Sequence, residues 1–382
     1  MRTKKLTFFE SMMLVAGAGM GTGLLTIPYA VNCIGLFGTL TALAIALAAS
    51  AFMYFVIVDL TRNSKRSGDL LGILEEHLFF GKGKRVLTIS FFILLILLLL
   101  ENLVVYILCA TNVMESLFGL DGWISSVVFY LLASVVVFFG MKGMGVGEKI
   151  SVILIGVAVV GLTVLAFVFP KGGIALSFGK PSTVFAVYGL FMFAFSAIFS
   201  VIQVCNHIDR PERAGGAVFG GLAINALITL IFAIAAVIGS ETVTEVAIIG
   251  LADSLDIPAV TIASGILVIL AMFTSFWSSG FAFADVVGQQ FKLKTCPAWF
   301  ISTTPALLIA ILLPLSVLDY VQIGAGALSI ILVLVVLPAY RHAVRHARKP
   351  LLLGGGGSSK LATVLVAVAI LLMAVASFMP IS

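Results

Sequence analysis

The chain has 382 residues, of which 61% are hydrophobic and only 10% charged, and its mean hydropathy is +1.23. That composition excludes a water-soluble globular domain. Long apolar runs without alternation exclude a β-barrel, so the expected fold is an all-α polytopic membrane protein. The formal net charge of +5 is not a nucleic-acid footprint, because the basic residues are spread over the segments between apolar runs.

Eleven apolar runs of about 20 residues or longer are predicted to span the bilayer. They are 8–35, 37–60, 85–118, 123–140, 147–169, 183–206, 214–239, 258–290, 297–316, 320–340 and 361–379. A short amphipathic piece at 70–80 sits in a polar loop, and 240–257 form an acidic loop. The first run lacks an A-x-A-like cleavage site, so it is expected to be retained. With the N-terminus in the cytoplasm, 20 of the 22 Lys and Arg residues fall on the cytoplasmic side, all but Lys171 and Lys180. The positive-inside rule then gives a multi-pass protein of the cell (inner) membrane with a cytoplasmic N-terminus. Cys33, Cys109, Cys205 and Cys296 lie far apart without a CxxC, so neither a disulfide framework nor a thiolate metal site is expected. His77, His207, His342 and His346 fall at cytoplasmic ends and read as solvated residues. The GGGGSS stretch at 354–359 reads as a flexible linker.

Within the first span, LVAGAGMGTGLLTIPYA carries Gly17, Gly19, Gly21 and Gly23. Two readings compete. Four glycines in seven positions weaken a helix, and a break at bilayer depth offers N–H groups to anions and carbonyls to cations. The same residues also form Gly17-xxx-Gly21 and Gly19-xxx-Gly23, small-xxx-small patterns for close helix packing. The sixth span tips the balance. It has small and polar residues at its midpoint, Ala194, Ser196 and Ala197, and it lies five spans later with opposite direction. Two interrupted helices at matching places in two halves mark an inverted-repeat transporter. The expected organisation is a first repeat over 1–169, a second over 170–349, and a Gly-rich loop with an eleventh helix over 350–382.

The two stretches GTGLLTIPYAVNCIG (Gly21 to Gly35) and FAFSAIFSVIQVCNHIDRP (Phe193 to Pro211) resemble the amino acid/auxin permease family. The first is similar to the family's G-[ST]-G-[IL]-L-x-[IL]-P-x-A signature. The second is similar to its sixth-helix Phe-Ala-Phe segment with a trailing Pro. The resemblance implies a LeuT-like five-plus-five inverted repeat with discontinuous first and sixth helices, plus the eleventh helix. It also implies ion-coupled amino acid symport by alternating access. In such folds the substrate carboxylate meets first-helix N–H groups, here around Gly17, Gly19, Met20, Gly21, Thr22 and Gly23. The amino group meets sixth-helix carbonyls near Phe193, Ala194 and Ser196, and Tyr106 of the third span joins that set.

The coupling ion is left open between sodium and a proton. Ala271, Thr274 and Ser275 resemble the A-x-x-T-S of the LeuT-like sodium site, with Gly17 and Met20 as carbonyl donors. Hydroxyls in membrane helices also commonly bond the carbonyl four residues back. Some proton-coupled relatives place a Lys in the fifth helix, and here that helix has no charge after Lys149, which favours sodium. Glu101, mid-way along the third span, is the proton-coupling candidate; its bland reading is a neutral, hydrogen-bonded side chain. Asp285 lies nearer the cytoplasmic end and reads as a gate or loop contact. Tyr106, Tyr188, Phe191, Phe193, Phe195 and Trp277 are candidates to line a mostly apolar pocket, which suits a neutral, large apolar or aromatic amino acid. No cofactor, no catalytic motif and no nucleic-acid partner is expected; the chain is expected to work as a monomer in lipid. A non-transporting amino acid sensor on the same fold is the alternative function.

Overall fold

The computed structural model describes residues 5–65, 70–79, 83–244, 247–313, 324, 328, 331–347, 349–353, 358–376 and 379. Its helices, in chain order, are α1 (Phe8–Asn63), α2 (Leu70–His77), α3 (Lys84–Phe118), α4 (Gly122–Phe138), α5 (Gly140–Val168), α6 (Pro181–Ala194), α7 (Ile198–His207), α8 (Ala214–Gly239), α9 (Ala247–Leu255), α10 (Pro258–Phe291), α11 (Thr295–Leu312), α12 (Leu337–Arg345) and α13 (Ser358–Ala376). Among the described residues, seven helices are long and apolar enough to cross a bilayer. Leu97, Leu131, Val157, Val164 and Leu312 are each more than half exposed on the outside. A continuous apolar exterior of that kind needs lipid around it, and this is a multi-pass membrane protein. Of the expected tenth span, only Gly324, Leu328 and the residues from 331 onward lie within the described set.

Local chemistry sets the ends of α1. The Thr7 hydroxyl accepts the Glu10 N–H at 3.2 Å while the Glu10 carboxylate accepts the Thr7 N–H at 2.9 Å, a reciprocal cap that starts the helix. Just before it, Leu6 pairs with the end of α7: its N–H donates to His207 O at 2.8 Å, and Asp209 N–H donates back to Leu6 O at 2.9 Å. The start of the first span and the end of the sixth therefore share one face of the protein. α1 holds both the first and second expected spans, joined at Gly35, where φ is 73° and ψ is −179°. The segment 175–178 lies over that joint, with Leu36 N–H donating to Ala175 O at 2.8 Å and Gly38 N–H to Ser177 O at 3.2 Å.

The backbone corrects one expectation. The break anticipated at Gly17–Gly23 is absent: α1 stays helical through all four glycines, and its non-helical point is Gly35. The reason is packing on two sides. Residues two apart on an α-helix point about 200° apart, so Gly17 and Gly21 face one way and Gly19 and Gly23 nearly the opposite way. A Cβ at Gly21 would lie 2.5 Å from Ser275 Oγ, and one at Gly17 would lie 3.0 Å from Thr274 Cβ, both on α10. A Cβ at Gly19 would lie 2.5 Å from Ala194 O, and one at Gly23 2.9 Å from Ala194 Cβ, at the end of α6. Two small-xxx-small pairs thus let α1 sit between α10 and α6 at backbone distance. α8 closes on the same helix through Gly221, where a Cβ would meet Met12 O at 2.5 Å.

The sixth span is broken as expected, between Ala194 and Ile198. The histidine reading also needs correcting. His77 is buried, its Nε2 2.8 Å from Ser64 Oγ and its Nδ1 3.4 Å from His342 Nδ1, so α2 docks onto α12 through it. Burial, opposed by Glu76 and aided by His342 and His346, pushes its proton affinity down and favours the neutral ring.

Gly35 offers a direct test of the joint. Gly35→Ala forces a left-handed φ on an L-residue and puts its Cβ 2.6 Å from Ala175 O. It should lower the melting temperature in detergent, by an amount equivalent to about 1–2 kcal/mol or more. Gly156→Ala, on a helical position with nothing within 4 Å, should leave the melting temperature unchanged or slightly raised. Equal melting of the two variants would contradict the strained joint.

Candidate functional site

The site is built around the gap between α6 and α7. Across Phe195, Ser196 and Ala197 the chain takes tight local turns, with Ser196 N–H donating to Phe193 O at 2.9 Å and Ala197 N–H to Phe195 O at 3.0 Å. Freed backbone groups inside a bilayer need partners within the protein, and three side chains supply them. The Tyr54 hydroxyl, from the second-span half of α1, donates to Phe195 O and accepts the Ala197 N–H at 2.8 Å. Asn225 of α8 donates from Nδ2 to Ala194 O at 3.1 Å and is itself held by a Thr229 hydroxyl at 3.1 Å. Ser196 Oγ donates to Phe193 O at 2.6 Å.

Beside this gap lies a cavity of about 20 Å³, enough for roughly one water. Ala18 of α1 lines it, with Asn102 and Tyr106 of α3, Phe193, Ser196 and Phe199 around the gap, and Ser278 and Ser279 of α10. None of the lining side chains is charged. The Tyr106 hydroxyl donates to Asn102 Oδ1 at 3.1 Å, so two of the polar groups are already aligned.

A cluster of oxygens lies at the α1–α10 contact. Thr274 Oγ1 is 3.0 Å from Gly17 O and 2.8 Å from Ala271 O. Ser275 Oγ is 3.4 Å from Gly17 O and 3.1 Å from Ala18 O, and accepts the Gly21 N–H at 3.1 Å. Carbonyls and hydroxyls, all neutral and all oxygen, suit a hard monovalent cation. Among the described residues no group of three or more His, Cys, Asp or Glu side chains could hold a metal ion.

The sequence-named residues therefore divide. Tyr106, Phe193 and Ser196 line the cavity. Gly17, Ala271, Thr274 and Ser275 meet in the oxygen cluster, where the second α1 carbonyl is that of Ala18 rather than Met20. Met20 is fully buried and outside the cavity lining. Gly19, Gly23 and Ala194 serve the α1–α6 contact, Gly21 meets Ser275, and Thr22 contributes helical backbone. Glu101 stands next to Asn102, which donates to its Oε2 at 3.3 Å, and its buried Oε1 has no hydrogen-bond partner among the described residues. A Cβ on Gly324 would meet that carboxylate, so the pair is in close contact. Asp285 accepts from Gln289 at 2.8 Å, one turn along α10. Of the other aromatics, the buried Tyr188 donates to Ala369 O of α13 at 2.6 Å, Phe191 and Phe195 pack in the core, and Trp277 stacks on Phe273 at 5.7 Å.

Sequence reasoning missed Tyr54, Asn225 and Asn102. Asn225 is the lone amide within the seventh span, and that was an available signal. It also gave Glu148, the second residue of the expected 147–169 span, no role. α5 starts at Gly140, which carries Glu148 more than two turns inside the helix.

The fold is shared with solved transporters. MhsT in complex with L-phenylalanine superposes with a TM-score of 0.71 at 15% identity, covering 98% of this chain and 100% of that one. Mhp1, a nucleobase-cation-symport-1 family transporter in a closed conformation with bromovinylhydantoin bound, gives 0.69 at 14% identity over 98% and 92%. The chain has the LeuT-like fold. No protein-family model matches the sequence, and no curated protein does.

Tyr54→Phe keeps the ring and removes the hydroxyl that serves both Phe195 O and Ala197 N–H. It should cost about 1–3 kcal/mol, read as a lowered melting temperature in detergent, since two buried backbone groups lose a partner. Unchanged melting would mean that the α6–α7 gap is satisfied by other groups.

Proposed function

We propose that this protein is a cation-coupled secondary transporter of a neutral amino acid, of the amino acid/auxin permease kind, working by alternating access. One observation carries the reading: an uncharged polar cavity lies between α3, α10 and the broken sixth span, within a few residues of the α1–α10 oxygen cluster. A zwitterion needs acceptors at one end and donors at the other. Ser196 Oγ and Asn102 Oδ1 offer acceptors at the cavity wall, and the hydroxyls of Tyr106, Ser278 and Ser279 offer donors. The continuous α1 supplies no half-helix N-terminus, so hydroxyls take the donor role in this conformation. The lining of Phe193, Phe199 and Tyr106 without a charged side chain favours a neutral substrate with an apolar or aromatic side chain. L-phenylalanine bound to a protein of the same fold supports that class.

A cavity of about 20 Å³ is far smaller than an amino acid, so the walls have to part for binding. The α6–α7 gap, with its non-helical backbone, is the natural place for that movement. Residues 1–169 and 170–349 form the two repeats in this reading, and 350–382 lie outside them. The charge asymmetry supports a cytoplasmic N-terminus in the cell membrane, and the Leu6–His207 pairing puts the end of the sixth span on the same side.

The test is uptake of labelled neutral amino acids into proteoliposomes under a sodium gradient or a pH gradient imposed separately. Accumulation of an aromatic or large aliphatic amino acid with sodium alone is the expected result. Accumulation with the pH gradient alone would move the coupling to a proton. Binding without accumulation under either gradient would replace transport by sensing.

A further inference from the structure

Glu148 is a fully buried acid that the substrate cavity does not use. It is 0% exposed, and neither carboxylate oxygen has a hydrogen-bond partner among the described residues. No ion pair among those residues involves it; the one between Lys171 and Glu241 lies at the surface. Its position is fixed by close packing on both sides. At the preceding Gly147 a Cβ would come within 2.9 Å of the Trp277 ring, so α5 presses directly on α10. On the other side the carboxylate is aimed at Gly17. A Cβ there would overlap Glu148 Oε2, and would lie 3.2 Å from the carboxyl carbon and 3.0 Å from Thr274 Cβ. Glu148 and Thr274 therefore flank the same glycine, whose carbonyl faces the Thr274 and Ser275 hydroxyls.

An unpaired buried carboxylate is strongly unfavourable, and a side chain of that kind inside a membrane protein calls for a partner. A protonated carboxyl would set its O–H against an acceptor, and neither oxygen has one in reach among the described residues. A metal ion makes no such demand, because its oxygen ligands need not hydrogen-bond one another. We propose that Glu148 is the anionic ligand of a monovalent metal-cation site, sodium being the ion of choice, completed by the Gly17 carbonyl and the Thr274 and Ser275 hydroxyls. The proposal rests on reading the α1–α10 oxygen cluster as the coupling site, and it adds a full negative charge from a third helix. The consequence is functional: without the cation the contact between α1, α5 and α10 carries an uncompensated charge, and loading the cation removes it. Cation binding and the closure of these three helices are thereby linked through one residue.

The experiment is equilibrium binding of radioactive sodium to purified, detergent-solubilised protein in an N-methylglucamine background. It compares the unmodified chain with Glu148→Gln, Glu148→Asp and Thr274→Val. Saturable binding to the unmodified chain is expected, weakened at least about tenfold in Glu148→Gln, by a smaller factor in Glu148→Asp, and also in Thr274→Val. Unchanged affinity in Glu148→Gln with loss in Thr274→Val would overturn the role of Glu148 and leave the oxygen cluster standing. No saturable sodium binding by the unmodified chain would overturn both. If Glu148→Gln is not monodisperse, Glu148→Asp decides, and unchanged affinity there overturns the proposal.

Discussion

Close approach of helix backbones around α1 is the constraint on which the rest of this structure depends. Between two apolar helices in lipid, water provides no driving force, so association relies on fit and on polar contacts. Gly17 and Gly21 open one face of α1 to α10, and Gly19 and Gly23 open the other to α6. The first approach lets the Thr274 and Ser275 hydroxyls reach α1 carbonyls; the second brings α1 against Ala194, the last residue before the gap. Any larger side chain at these four positions would push the helices apart. The oxygen cluster and the walls of the cavity would separate with them.

The gap in the sixth span obeys the complementary rule. Its backbone groups cannot turn to water, so each that leaves the helical ladder finds a side chain: Tyr54 at Phe195 and Ala197, Asn225 at Ala194, Ser196 at Phe193. These partners come from α1, α8 and the gap itself. The gap is thus held by helices from both the N-terminal and the C-terminal parts of the chain.

Much of this was legible in the sequence because hydropathy and charge are one-dimensional signals. The span limits at α3, α8 and α10 agree with the helices within a few residues, and the interruption at Ala194–Ala197 falls where small and polar residues replace the large apolar ones. The state of Gly17–Gly23 was not legible. A glycine that breaks a helix and a glycine that admits a neighbour are the same residue, and only the neighbours Ser275 and Ala194 decide between them. Glu148 was hidden for a related reason. In MKGMGVGEK it stands beside Lys149 like a loop residue, and its burial depends on α5 beginning at Gly140 and on the glycines at 147 and 17 that bring α5 against α10 and α1. Fold survives at 15% identity because it needs only the pattern of spans and small residues, whereas the site depends on individual side chains.

The most direct test of the site's location is substrate protection of a thiol placed in the gap. Ser196→Cys, in a chain whose four native cysteines are replaced by Ser, would be labelled with a small maleimide in sodium, with and without a saturating neutral amino acid found to bind the protein. A marked slowing of labelling at 196, with Leu372→Cys on the exposed face of α13 unaffected, is the result expected for a substrate seated between Tyr106, Phe193 and Ser279. Labelling at 196 that is indifferent to a bound amino acid would contradict it and place the substrate elsewhere.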